Sequence, residues 1–445
     1  MIFGLDSRTP PRPLAAAQGG QHAASQAGAP GLPQLVDTLI IGGGQAGLAT
    51  SYYLAQQPRP HLVLEKAAQA GPAWRNGRWD SFSLVTPNRL FRLPGAEYQG
   101  NQPDAYMPRN EIVARLENYV ARFHLPVRYN TQVTRLEQRP GCPGFRIQSS
   151  AGVFEAAHVV VATGLFQRPK VPALSASLPA RIWQLHSSEF RQANHLPPGA
   201  VLVVGSGQDG CEIAEELHRS GRMVYLSVGS AGREPGRYRG KDIFEWLELS
   251  GYFDRTAAQP PSPTAKFACS PPVSGQAGGS ALNLHKFARD GIVLLGRLQS
   301  AQGSAIRLAS DLRENLAKAD QFEADLCNWV DGVIARLGLA APVERLPQFR
   351  NGGKAEIIEQ LDLNTAGIRT IIWATGYTFD FSWIKLPIFD DDGFPLQQRG
   401  VTSVPGLYFA GLPWVDTQKT GLLLGVGEHA AFIASEIESA SPVTA

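Results

Sequence analysis

Gly42, Gly44 and Gly47 in "LIIGGGQAGLATSYYLAQQPRPHLVLEK" share one spacing with Gly205, Gly207 and Gly210 in "VLVVGSGQDGCEIAEELHRSGRMVYLSV". Both triplets read G-x-G-x-x-G directly after an apolar run, a pattern suited to bringing backbone N–H groups against a pyrophosphate. The first glycine makes the tight turn, the second lets the backbone approach the phosphates, and the third lets helix and strand pack closely. The helix that begins at Gln45 and Ala46 aims its unpaired N–H groups and partial positive charge at the same point. Glu65, followed by Lys66, ends the next strand, at the offset where a carboxylate accepts hydrogen bonds from a ribose diol. In the second unit Ser206, Gln208 and Asp209 fill the turn and Ser227 stands where the acid should be, with Arg233, Arg237 and Arg239 beyond. A carboxylate there repels a 2′-phosphate, whereas a hydroxyl and guanidinium groups can hold it.

Two such units in one chain imply two nucleotides. The acid-held ribose of the first fits FAD; the polar and basic end of the second fits NADPH, which would reduce the flavin. The plainer alternatives are a glycine turn kept for packing and arginines that line a solvated loop.

Little else in the sequence offers chemistry of its own. Cys142, Cys211, Cys269 and Cys327 lie far apart without a C-x-x-C pair, which argues against a disulfide framework, a zinc site and a redox dithiol. No metal site is expected, and a reducing cytoplasm is the simplest location. Cys211, just after the third glycine, reads as a small buried residue. The formal net charge is +2, without a dense basic run, so binding to nucleic acid by phosphate neutralisation is not expected. No apolar stretch approaches the ~20 residues a membrane-spanning helix needs.

The elements that position the two turns follow from length and pattern. At 445 residues the chain fits two or three domains. Residues 1–34, rich in Ala, Gly, Gln and Pro, read as a flexible leader. Residues 35–170 alternate strands and helices, include a helix at "RNEIVARLENYVARFH", and close with "AAHVVVATG". The Pro-punctuated "FQRPKVPALSASLPARIWQLHSSEFRQANHLPPG" reads as a connector into a second domain spanning 171–350. That domain contains a Pro- and Ser-rich loop, "QPPSPTAKFACSPPVSGQAGGS", a hairpin in "GIVLLGRLQSAQGSAIRLA", and a helix from Asp311 to about Leu337. The apolar stripe of that helix faces the core, covers the site as a lid, or forms a homodimer seam. Residues 351–445, with "GIRTIIWATGY", "VPGLYFAGLPW" and a closing helix, resume the first domain. The expected fold is α/β, with two dinucleotide-binding (Rossmann-like) domains, the NADPH domain inserted into the FAD domain.

With these residues in view, the chain resembles the flavin-containing monooxygenases, class B flavoproteins, over about Val36 to Ile437. The likeness rests on the paired glycine turns and on two "ATG" turns, Ala162, Thr163, Gly164 and Ala374, Thr375, Gly376. It is supported by "GPAWRNGRWDSFSLVTP" after the ribose acid and by "LHSSEF", half of the family's F-x-G-x-x-x-H-x-x-x-(Y/F) motif. The chain departs from the pattern at Ala180 and Ile182, and at Gln208 and Asp209, where many relatives carry Asn-Ser. The resemblance implies cofactor contacts through Trp74, Val133, both ATG turns, Gly411 and Leu412, the last standing where other FAD proteins place an acid. Thr86 is the nearest counterpart, and Asn88 a poorer one, of an asparagine placed over the flavin. His186 either touches substrate or is a hydrogen-bonded structural histidine, and His429 reads as structural. Trp74, Trp79 and Trp414 either stack on rings or pack. The implied reaction forms a C4a-(hydro)peroxyflavin from NADPH, FAD and dioxygen and oxygenates a small nitrogen, sulfur or carbonyl substrate. The alternative is an NADPH-dependent flavin reductase or oxidase without oxygen transfer.

Overall fold

The computed structural model describes residues 32–256, 272–276 and 278–440. Residues 1–31 of the expected leader and most of the Pro- and Ser-rich loop lie outside the described residues; Gln34 already begins the first strand.

A mixed sheet and an all-parallel sheet organise the chain. In the first, Gln34–Ile41 lies between His61–Leu64 and Gly152–Val161, and its inner residues are fully buried. A continuous apolar run is what a strand covered on both faces requires. The far edge of Gly152–Val161 is shared: the hairpin strand Phe145–Ser149 pairs antiparallel with its start, and Leu407–Phe409 pairs parallel with its end. In the second sheet the order is Trp183–His186, Ile368–Trp373, Ala200–Val204, Val224–Ser227 and Val293–Leu295, all parallel.

This order corrects two expectations. The supposed connector contributes an edge strand, Trp183–His186. The chain does not return to the first sheet at residue 351: Ile368–Trp373 belongs to the second sheet, and contact with the first resumes where Ile384 bridges Leu136, before Gln397–Gln398 joins it as a strand. An apolar strand ending in ATG suits either sheet, and only tertiary contacts decide which one it joins.

Each glycine turn is followed by a helix. Gln45–Leu54 packs against Val426–Ser439, and Ala46, Ala49, Ala430 and Ala434 are buried in one apolar cluster. Gln208–Arg219 buries Cys211, Ile213, Ala214 and Leu217. The long helix spans Leu312–Leu337 and is core-facing at Leu312, Leu316, Ala319, Val330 and Val333, but Leu337 at its end is exposed. Arg233 fastens this helix. Its Nε and Nη2 donate to the two carboxylate oxygens of Glu323 at 2.9 and 2.6 Å, and its Nη1 donates to Asp320 at 2.7 Å.

Burial also sets the acid tolerance of the fold. His61, bonded through Nε2 to Ser51 Oγ at 2.8 Å, is pulled by desolvation from its ordinary 6.5 to about 4. Desolvation lowers His158, His186 and His429 as well. The unfolded chain therefore takes up protons below pH 6.5 that the native state refuses, so stability falls as pH drops toward 4. Urea unfolding at pH 7 and pH 5 should show a smaller loss for His61→Gln than for the parent. Arg233→Ala strands a buried Glu323 carboxylate and should cost about 3 kcal/mol in the same measurement at pH 7.

Candidate functional site

The two glycine turns are built alike. Gly42 and Gly205 have φ of 116° and 109°, which favours residues without a side chain. A Cβ at Gly42 would sit 2.5 Å from the carbonyl oxygen of Ala162, and one at Gly205 would collide with the carbonyl oxygen of Ala374. Each ATG turn thus closes directly over its glycine turn, and Ala162 and Ala374 donate N–H bonds to Ile41 and Val204, both at 2.9 Å. Cβ atoms at Gly47 and Gly210 would strike the carbonyls of Gly42 and Gly205, so strand and helix are in contact there. At Gly44 and Gly207 a Cβ would meet nothing within 4 Å, which leaves the outer face of each turn open. Neither helix start carries a side-chain cap. Open space backed by uncapped N–H groups fits a pyrophosphate at both turns.

Around the first turn, Glu65 is buried at the end of its strand. Its two carboxylate oxygens accept from the N–H groups of Gly43 at 2.6 Å and Ala67 at 2.7 Å, so the acid is held rigidly beside the turn and keeps lone pairs for a diol. Lys66 is exposed. Gln45 links two walls of the site: its Nε2 donates to the Gly421 carbonyl at 2.8 Å and its Oε1 accepts from Trp74 Nε1 at 3.3 Å. Gly411 lies on Ala46, where a Cβ would collide with the alanine methyl. Leu412, in the place of the acid, is buried in an apolar cluster with Leu39 and Val161, so its side chain faces away from any polar ligand. Val133 is half-buried against that cluster, two residues beyond Thr131, whose N–H bonds the Glu65 carbonyl at 2.9 Å. In the first ATG turn, Gln167 donates to the Thr163 hydroxyl and the Gly164 carbonyl.

The second turn keeps its backbone geometry, but most side chains assigned to the nucleotide are engaged elsewhere. Ser206 Oγ accepts from Gly229 N–H at 3.0 Å. Gln208 clips Val273 from both sides, donating to its carbonyl at 2.7 Å and accepting from its N–H at 3.0 Å. Ser227 Oγ, fully buried, donates to the Gly296 carbonyl and accepts from Leu298 N–H, so it closes a loop and does not meet a phosphate. Arg233 is saturated by Glu323 and Asp320, and Arg239 by Asp331 and the carbonyls of Pro342 and Ala341. The expectation that Ser227 and Arg233 hold a 2′-phosphate is therefore corrected. Their partners lie 69 and 90 residues away, beyond the reach of local reading. Asp209 alone presents a charged side chain in the first turn of this helix.

Between the two turns lies a joint. His186 does not offer a free nitrogen there: Nε2 donates to the Gly376 carbonyl at 2.9 Å, while Nδ1 accepts from Ser188 N–H at 3.2 Å. Desolvation lowers its pKa, so the ring is neutral, and it ties "LHSSEF" to the second ATG turn. Both ring nitrogens are engaged, which favours the structural alternative over contact with substrate. Lys170 is bonded twice to the same ATG turn: its N–H donates to the Gly376 carbonyl at 3.0 Å, and its carbonyl accepts from the Thr375 hydroxyl. Thr86 is half-buried in the strand Ser83–Pro87, with neighbouring Asn88 buried and its Oδ1 lacking a partner. Trp79 is fully buried against Phe82, edge to face at 5.2 Å, and is packing. Trp414 lies 5.7 Å from the Arg255 guanidinium.

Arg78 escaped sequence reading, for nothing local distinguishes it from other arginines. Its guanidinium lies 6.0, 5.4 and 5.8 Å from the rings of Trp74, Phe82 and Phe166 and 3.8 Å from Asp209, bridging the surroundings of both turns.

Comparison with known proteins agrees with this geometry. Residues 39–246 match the family model described as pyridine nucleotide-disulphide oxidoreductase. A CzcO-like oxidoreductase of Geobacillus kaustophilus, itself uncharacterised, is 33% identical over 91% of this chain and 99% of its own. The indole-3-pyruvate monooxygenase YUCCA1 of rice is 26% identical over 90% of each chain. Among solved structures, the flavin-containing monooxygenase of Stenotrophomonas maltophilia aligns with a TM-score of 0.62 at 19% identity, covering 91% of this chain and 99% of that one. The chain belongs to the CzcO-like oxidoreductases and has the fold of the flavin-containing monooxygenases, a fold in which solved neighbours carry FAD and NADP.

Proposed function

We propose that the chain is an FAD-dependent, NADPH-using monooxygenase that oxygenates a small nitrogen, sulfur or carbonyl substrate. The observation that carries this reading is the pair of matching glycine turns, each closed by its own ATG turn and each open on its outer face. In this reading the first turn holds FAD: the N–H groups of Gln45, Ala46 and Gly47 meet the pyrophosphate and Glu65 meets the ribose. The second turn takes NADPH through the N–H groups of Gln208, Asp209 and Gly210, with Gly207 leaving room for the phosphates. Bound FAD supplies hydride acceptance from NADPH and the reaction of the reduced ring with dioxygen.

The protein's own part is to bind, orient and keep water out. The Trp79–Phe82 pair and Phe190 form a buried aromatic floor under the joint, and His186 holds the second ATG turn through the Gly376 carbonyl. Membership in a family with monooxygenase relatives favours oxygen transfer over simple oxidation.

Product, NADPH consumed and hydrogen peroxide released should be counted together against a panel of amines, sulfides and ketones. Coupled product formation from at least one class is expected; stoichiometric peroxide with no product from any class would make the protein an oxidase. Two substitutions separate the sites. Gly44→Val fills the open face of the first turn and should give folded but colourless protein. Gly207→Val should stay yellow, while NADPH binds at least about tenfold more weakly and no longer bleaches the flavin absorption. The reverse pattern would exchange the two assignments.

A further inference from the structure

We propose that Arg78 positions the nicotinamide nucleotide: supplied from the first domain, it neutralises Asp209 at the second glycine turn and adds a cationic donor for the dinucleotide phosphates. This inference rests on the second turn being the NADPH site.

The two otherwise matching turns differ in charge. The helix Gln45–Leu54 has no acidic residue in its first turn, whereas Gln208–Arg219 carries Asp209 there. A carboxylate at that end of a helix is favoured by the dipole. The same dipole and the same N–H groups are what make the turn an anion site, so Asp209 stands as a like charge beside an incoming pyrophosphate. Glu212, one turn further on, adds nothing to this repulsion near neutral pH, because burial pushes its carboxyl up to about 8. Asp209 is the charge that must be offset.

Two polar groups reach its Oδ2 from other parts of the chain. Ser187 donates its hydroxyl to Oδ2 at 3.0 Å, which positions the carboxylate without cancelling its charge. Arg78 Nη1 approaches the same oxygen at 3.8 Å. Arg78 lies four residues after Trp74, whose indole is bonded to Gln45 at the first turn. The cation therefore reaches from the surroundings of one nucleotide turn to the mouth of the other.

The guanidinium is held but under-used. Three aromatic rings hold it in place, and its side chain is 15% exposed. Nη1 donates to the Gly77 carbonyl at 3.1 Å, and buried Nε has no hydrogen-bond partner. The Tyr377 hydroxyl lies within reach of both Arg78 and Ser188. A guanidinium has five N–H donors, and one this desolvated ordinarily satisfies more of them. At 3.8 Å its contact with Asp209 is charge without a full hydrogen bond, so a phosphate oxygen can join the pair without displacing a strong one.

NADP+ is the probe, since it binds without turnover. It is titrated into the oxidised holoprotein and followed by the shift in flavin absorption, with FAD content measured on each sample. Arg78→Ala should raise the NADP+ Kd about 30-fold with FAD content unchanged. Arg78→Lys, which keeps the charge but not the fork, should lose less, about threefold. Asp209→Asn alone should leave the Kd unchanged or lower it, and Arg78→Ala combined with Asp209→Asn should return to within about threefold of the parent. That rescue is the signature of neutralisation, and a merely structural arginine would not produce it. If Arg78→Ala does not fold, Arg78→Gln with and without Asp209→Asn carries the same comparison.

The proposal is overturned if Arg78→Ala binds NADP+ within twofold of the parent, if it loses FAD instead, or if Asp209→Asn weakens NADP+ tenfold, which would make the aspartate itself a ligand. Gly207→Val keeps the two levels apart. If it binds NADP+ normally, the assignment of the second turn has failed. If it loses NADP+ while the Arg78 variants do not, only the role of Arg78 has.

Discussion

The structure depends on one contact made twice: an alanine carbonyl pressed against a glycine that has no room for a side chain. Ala162 over Gly42 and Ala374 over Gly205 fix where each leading strand ends and where each helix begins. Because the third glycine of each triplet rests on the carbonyl of the first, helix and strand close to a distance that even a methyl group would prevent. The N-terminus of each helix is thereby aimed from a rigid support, and the nucleotide chemistry follows from that aim.

The same constraint explains what was legible. Glycine at fixed spacing after an apolar strand is a steric requirement written into the sequence, so both turns, both following helices and the held acid Glu65 could be read directly. The long helix was legible because its stripe repeats with the helical period, and Leu312–Leu337 matches it closely. Side-chain destinations were not. Ser227, Gln208 and Arg233 have the chemistry to bind phosphate, but their partners are Gly296, Val273 and Glu323, and no local pattern reveals a partner that arrives from a distant loop or helix. Arg78 was hidden for the same reason: its position is defined by three rings and a carboxylate, of which only Trp74 and Phe82 lie nearby in sequence.

The two sites also divide their polar groups differently. The first holds its carboxylate one strand away from the turn, at Glu65, where two backbone N–H groups fix it and the helix start is left clear. The second has no acid at the strand end and instead carries one inside the turn. Under the proposed assignment, a permanently bound coenzyme would gain from the rigid, pre-bonded acid, and a visiting one from charge balanced across the joint.

The placement of Ile368–Trp373 between Trp183–His186 and Ala200–Val204 bears on how the polypeptide is made. As synthesis proceeds from the N-terminus, the second sheet lacks an interior strand until Trp373 has left the ribosome, and the first remains open along Gly152–Val161 until Phe409 follows. Neither half can complete itself as an early, independent unit while the remainder is still being translated. Apolar strand edges stay uncovered through most of elongation, the kind of exposure that invites misassembly before the last strands arrive.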